Sequence, residues 1–345
     1  MAYTTIDKSS LQFNTKLYTG SGGTNNITGL DFQPDWVWLK SRSATASNVL
    51  QDAIRGNNKS IKTNTTAAEF TQSFFTSFNS DGFTVATTEP DVNANGTTYA
   101  SWNWKANGQG SSNTAGTINT SYTSANTTSG FSIIQYTGNG SSGATIGHGL
   151  GVVPKAVIVK LTSGSGYDWG VYHASLGNTK NLRLNLTDTV ATSTAFWNDT
   201  TPSSSLVYLG NNATVNGSGS TYIAYCFADV PGFSKMGSYQ GNANANGSFI
   251  YTGFRPAFLV VKNTQLADNW SMFNSKALGY NTYNHIMYPD LANTESNGLP
   301  IDFLANGFKW RTAAGMANGN NQKLIYMAFA ANPFVTSTGV PTTAN

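Results

Sequence analysis

One pattern occurs three times in the chain. Pro34-Asp-Trp-Val-Trp-Leu-Lys40, Pro154-Lys-Ala-Val-Ile-Val-Lys160 and Pro256-Ala-Phe-Leu-Val-Val-Lys262 each hold a proline, an apolar run and a lysine six residues after the proline. Self-similarity at this level means that one structural unit was copied, and it constrains the fold more than any local propensity. The prolines are 120 and 102 residues apart. That exceeds a solenoid repeat of about 20–50 residues and matches the usual domain size of about 100–150 residues. Other landmarks recur in the same order. The units open on Leu17-Tyr-Thr-Gly20, Gln135-Tyr-Thr-Gly138 and Ser238-Tyr-Gln-Gly241. They close on Tyr99-Ala-Ser-Trp-Asn-Trp104, Tyr222-Ile-Ala-Tyr-Cys-Phe227 and Leu324-Ile-Tyr-Met-Ala-Phe329. Between these lie Asp168-Trp-Gly-Val-Tyr172 and Asn269-Trp-Ser-Met-Phe273, with Asn48-Val-Leu-Gln-Asp52 at that place in the first unit.

The expected fold class is all-β, as three tandem related antiparallel β-sandwich, jelly-roll-like units. Eight Asn-Gly pairs punctuate the chain, and this pair supplies the positive φ that tight hairpins need. Aromatics make up 12% of the residues and charged residues only 10%; the first suits pleated, half-buried surfaces. Leu182-Arg-Leu-Asn-Leu186 alternates with period two, as a half-buried strand does. The runs after each proline are continuous, as in strands covered on both faces. The stretch from Ser47 to Gly56, compatible with a short helix, aligns with the tryptophan strands and is read as a strand.

The predicted organisation is a first unit over 1–108 with an N-terminal arm, and a Gly/Ser/Thr/Asn-rich linker over 109–130. A second unit over 131–236, a third over 237–334 and a C-terminal tail over 335–345 follow. Units two and three follow each other almost directly and are expected to pack rigidly. The recurring lysines Lys40, Lys160 and Lys262 are expected to be strand-end charges or edge protection.

The 19 Lys and Arg are scattered singly, so no basic run tracks phosphates and nucleic acid is not an expected partner. No apolar stretch nears the ~20 residues that span a bilayer, so no membrane is expected either. The opening residues lack the apolar core of a signal peptide, which points to folding in a cytoplasm. Cys226, the only cysteine, sits in an apolar strand and reads as a small buried hydrophobe.

His148, His173 and His285 show no metal spacing, and structural roles are expected. Neither a metal nor another cofactor is expected. No nucleophile elbow, phosphate loop or dinucleotide fingerprint is present. Paired carboxylates about 5–9.5 Å apart could hydrolyse glycans, but among Asp199, Asp229, Asp290 and Asp302 no spacing singles out a pair. The chain is therefore not expected to be an enzyme. Aromatic side chains beside Asn, Ser and Thr can instead stack on sugars. The candidate ligand-binding residues are Trp197, with Tyr280, Tyr283, His285 and Tyr288 from one tyrosine-rich stretch. The competing reading of that stretch is a loop packed on a neighbouring unit or subunit.

The chain resembles a family of tailed-bacteriophage virion proteins, common in marine phages and labelled tail fibre or structural protein. Asp52-Ala-Ile-Arg-Gly56, Ser80-Asp-Gly-Phe83 and Asn95 to Ala106 resemble the family's first unit. His148 to Lys160, Trp169 to His173, Leu184 to Thr187, Trp197 to Thr200 and Tyr222 to Ala228 resemble its second. Gly232 to Tyr239, Thr252 to Pro256 and Thr336 to Pro341 resemble its third. The resemblance implies a virion location after synthesis in the host bacterial cytoplasm, and no catalytic residues. By analogy it implies other virion proteins as partners, a homotrimer, and contact with a host surface glycan or protein. The alternatives are a capsid decoration or tail-assembly protein without a receptor, and a glycan depolymerase.

Overall fold

The computed structural model describes residues 4–333. The chain is all-β and folds as three consecutive antiparallel sandwiches. The first holds β1 (Phe13–Thr19), β2 (Asn25–Thr28), β3 (Trp36–Ser41), β4 (Val49–Asp52), β5 (Lys59–Lys62), β6 (Phe70–Thr71), β7 (Phe75–Asn79), β8 (Gly82–Val85) and β9 (Thr98–Trp104). The second holds β10 (Tyr122–Asn126), β11 (Phe131–Thr137), β12 (Ala144–Gly147), β13 (Ala156–Leu161), β14 (Gly170–His173), β15 (Lys180–Arg183), β16 (Ala191–Thr192), β17 (Leu206–Leu209) and β18 (Thr221–Phe227). The third holds β19 (Ser234–Gln240), β20 (Phe249–Tyr251), β21 (Phe254–Asn263), β22 (Ser271–Asn274), β23 (Tyr283–Ile286), β24 (Ser296–Leu304), β25 (Gly307–Trp310) and β26 (Lys323–Pro333).

Four strands stand in the same order in each large sheet: β1-β9-β3-β4, β11-β18-β13-β14 and β19-β26-β21-β22. The small facing sheets are β2-β8-β7, β12-β17 and β20-β25-β24-β23. The stretch from Ser47 to Gly56 contributes β4, as the alignment predicts.

The proline-to-lysine strands β3 and β13 are buried at every position. Their two faces have different tasks. Val37 and Leu39 point into the first sandwich's own core with Ile27, Phe75, Phe83 and Val85. Trp36 and Trp38 point the other way, into a core that all three sandwiches share. The same division places Val157 and Val159 in the second private core, and Leu259 and Val261 in the third. Ile158, Phe258 and Val260 join the tryptophans in the shared core. At its centre meet Trp104, Phe227 and Phe329. Each pairs across its sheet with the residue two past the proline: Trp36, Ala156 and Phe258. Their ring centroids are 6.4 Å (Trp104–Phe227), 5.3 Å (Trp104–Phe329) and 5.8 Å (Phe227–Phe329) apart. The inner strands of the large sheets are thus covered on both faces, which is why the runs after each proline do not alternate.

Residues 109–130, expected as a linker, are built into this frame. β10 lies at the edge of the second large sheet, and Ile118 pairs in parallel with Ile146 of β12. The junction into the third sandwich is a tight turn in which Val230 N–H donates to Ser234 O at 3.1 Å. Ile6, in the N-terminal arm, packs in the shared core. The tail 335–345 lies outside the described residues.

Candidate functional site

The three lysines lie at the ends of their strands, as expected, but they protect no edge and their charges are buried. β3, β13 and β21 are internal strands, and Lys40, Lys160 and Lys262 are fully buried. An internal strand has no open edge to guard, and a buried ammonium must find acceptors. Each Nζ finds backbone carbonyls in its own following loop and in another sandwich. Lys160 donates to Tyr167 O at 2.6 Å and to Thr66 O of the first sandwich at 3.1 Å. Lys262 donates to Asp268 O and, at 2.9 Å, to Thr187 O of the second. Lys40 donates to Ala46 O at 2.6 Å and to Leu291 O of the third at 3.3 Å. Burial pushes each ammonium down to about 8, against the opposing pull of Asp91, Asp168 and Asp290 respectively.

Two further bonds recur at each seam. The carbonyl two residues past the lysine accepts from a neighbouring backbone N–H: Glu69 to Thr162 at 3.2 Å, Val190 to Thr264 at 2.9 Å, and Glu295 to Arg42 at 2.9 Å. The side chain opening the next strand donates across the seam. Trp169 Nε1 reaches Lys62 O at 3.2 Å, and Trp270 Nε1 reaches Arg183 O at 2.9 Å. Asn48, at their place in the first unit, donates to Tyr288 O at 3.0 Å and Leu291 O at 2.9 Å. The second sandwich reaches the first, the third reaches the second, and the first reaches the third. The contacts close a ring within one chain.

The seam between the third and first sandwiches is where the candidate residues gather. Arg42 grips Glu295 with two bonds of 2.8 Å, and His285 Nδ1 lies 2.5 Å from the same carboxylate. Burial alone would raise the Glu295 carboxyl. The bonds from Arg42 and His285 outweigh it and hold the group below the usual glutamate value. Tyr288 lines a small cleft with Thr45 of the first sandwich. Tyr283 is buried against Phe303 at 4.9 Å. Tyr280 alone of the five is open, at 66% exposure.

Trp197 is a correction. It is 1% exposed and packs on Tyr172 inside the second private core, so its ring has no face for a ligand. Tyr283 and His285 are likewise occupied, by packing and by the contact with Glu295. The expected ligand cluster thus resolves largely into the competing reading, a stretch packed on a neighbouring sandwich. Sequence reasoning missed Arg42 and Glu295; the scarcity of glutamate, three in the chain, was the available signal.

Of the other histidines, His173 Nε2 faces Tyr326 O at 3.1 Å, and burial pushes the ring down to about 4. His148 faces Ser203 O at 3.2 Å. The Asp52–Gly56 motif is a buried knot. Asp52 accepts from Arg55 Nε at 2.7 Å and from Tyr225 OH of the second sandwich at 2.8 Å. Gly56 closes the motif at φ 82°, a conformation that suits glycine. The four aspartates considered for hydrolysis serve separate places. Asp229 accepts from Met236 N–H at 2.8 Å, and Asp302 pairs with Arg311. Asp290 is buried beside Lys262, and its carboxyl is pushed up to about 7 by burial. Asp199 sits in a turn at φ 46°. Among the described residues, no three His, Cys, Asp or Glu form a metal-holding group, and no helix is long and apolar enough to cross a membrane.

Fold and seams together define an all-β protein of three antiparallel sandwiches joined in a closed ring. The sequence matches a family described as a domain of unknown function (DUF7483) over residues 8–333, and the chain belongs to that family. No curated protein and no solved structure matches it.

Proposed function

We propose that the chain is a non-enzymatic structural protein of a tailed-bacteriophage virion, tail-fibre or spike-like, that touches a host surface receptor through loops of its third sandwich. The observation that carries this reading is the division between what the three copies share and where they differ. The residues behind the resemblance, such as Asp52–Gly56 and Trp169–His173, build the shared core and the seams. The third copy differs in the Tyr280–Tyr288 stretch, which carries Tyr280, the most exposed large hydrophobic side chain among the described residues. A rigid scaffold presenting variable loops is a common design for recognition. Three related units, which a homotrimer would draw from three chains, are here carried by one chain. Assembly with further copies or with other virion proteins then uses the outer sheets and the terminal segments.

The test is competition. Purified protein is expected to bind host cells and reduce phage adsorption; protein that does neither refutes receptor contact. The closed ring of three sandwiches also favours a second reading, a decoration or assembly protein without a receptor. Cryo-microscopy of intact virions separates the two by position and copy number.

A further inference from the structure

The seam between the first and third sandwiches carries an open cleft of about 670 Å³. It is lined by β1, by the starts of β21 and β23, by the end of β26 and by the segment that follows β22. Three cations line it: Lys16 from β1, Arg255 from β21 and Lys276 just after β22. No acidic residue lines it, and among the described residues none of the three cations has a carboxylate partner. Acids nearby are already engaged. Asp31 pairs with Lys8 at 2.7 Å, and Asp81 accepts from the N–H groups of Gly29 and Asp31 at 2.9 and 2.7 Å.

The cations are partly fixed by neutral groups. Lys276 Nζ bridges the seam, donating to Asn14 Oδ1 at 2.9 Å and Thr15 O at 2.6 Å. Arg255 Nη2 donates to Tyr283 OH at 3.3 Å, which steadies one edge of the guanidinium. Burial and the repulsion of Lys16 lower Lys276, and they outweigh the opposing pull of Asp31. Like charges held together in a cleft without acids favour an anion. The guanidinium fork matches a planar carboxylate. The remaining lining is mixed, with polar Ser275 and Asn332 beside apolar Leu17 and Ala331. Tyr280, exposed, follows the cleft residue Gly279 directly.

We propose that this cleft binds a carboxylated saccharide, with Arg255 and Lys16 on the uronate carboxylate, Ser275 and Asn332 on the ring oxygens and Tyr280 as a stacking face. It rests on the host-contact reading for where such a glycan is met.

The experiment is calorimetric titration of the full chain with oligogalacturonate, its methyl ester and inorganic phosphate. Oligogalacturonate is expected to bind and its uncharged ester not to. Arg255→Ala and Lys16→Ala should each weaken binding at least about tenfold, as loss of a charge-assisted bond does. Arg255→Lys should recover only part, because the fork is lost. Melting curves of each variant check that the seam stays closed. Equal binding of the ester, unchanged binding by folded variants, or no binding of oligogalacturonate overturns the proposal. So does phosphate that displaces the saccharide at equal concentration. Adsorption competition with Arg255→Ala separates the two claims. Wild-type protein that blocks adsorption without binding uronate overturns the cleft and leaves host contact standing. Uronate binding without any block of adsorption does the reverse.

Discussion

Replacing Trp104 by alanine should weaken all three sandwiches at once. The ring is 1% exposed. Its centroid lies 4.7 Å from Phe13 and 4.4 Å from Trp36 in the first sandwich, 6.4 Å from Phe227 in the second and 5.3 Å from Phe329 in the third. A buried tryptophan removes about 150–250 Å² from water, worth about 4–6 kcal/mol at ~25 cal/mol per Å². Partial collapse of the surrounding rings brings the expectation to about 3–5 kcal/mol, the usual cost of this substitution. That is a large share of the ~5–15 kcal/mol that holds a folded domain. The assay is urea unfolding, followed both by fluorescence and by hydrogen exchange resolved along the chain. The variant should unfold in one transition at lower urea, with protection lost in β9, β18 and β26 together. A biphasic transition in which only the first sandwich shifts would refute the shared core.

Three other outcomes follow from the seams. Glu295→Gln leaves Arg42 facing a neutral amide in a pocket where the carboxylate is 9% exposed; stability should fall by about 2–4 kcal/mol, measured by thermal melts, and an unchanged melt would contradict the ion-pair assignment. The folded-state value of His173 is lowered to about 4. The stability it contributes is therefore present above the unfolded value of about 6.5 and is lost as pH falls through 4. Over that window the protein should lose up to about 3 kcal/mol from this group, and His173→Asn should flatten the acid limb of the melting profile. The three buried lysines have folded values near 8, below the unfolded value of about 10.4. The unfolded chain then binds more protons between these limits. Their contribution to stability should rise as pH climbs from 8 towards 10 and be lost as pH falls back through 8; denaturation midpoints at both pH values check the sign, and a midpoint that does not rise would contradict it.

Much of the fold is legible in the chain. Continuous apolar runs such as Val157-Ile-Val159 say that both faces of a strand are covered, and Asn-Gly pairs mark many of the turns. What covers the second face is not legible. Ile158 and Val157 look equivalent as letters, yet one faces the shared core and the other a private one. The seams are hidden for a related reason. The lysines find carbonyls 94, 75 and 251 residues away, and a backbone acceptor leaves no trace in composition. A charged residue copied three times at the end of a buried strand was the one local sign that something had to receive it. Trp197 misled because a polar neighbourhood, Asn198-Asp-Thr200, suggested exposure. The helical turn Thr194–Trp197 instead turns the indole inward against Tyr172. The cationic cleft escaped notice because Lys16, Arg255 and Lys276 come together only when the ring closes.

Closure of that ring within one chain is the claim on which the rest depends. Thr45 and Asn293 are exposed and line the same small cleft from opposite sides of the closing seam. The only native cysteine, Cys226, is buried. A Thr45→Cys/Asn293→Cys variant treated with a short bismaleimide should therefore form a crosslink that keeps the mass of a single chain, mapped by peptide mass spectrometry to these two positions. No crosslink, or crosslinks only between chains, would contradict the closed ring.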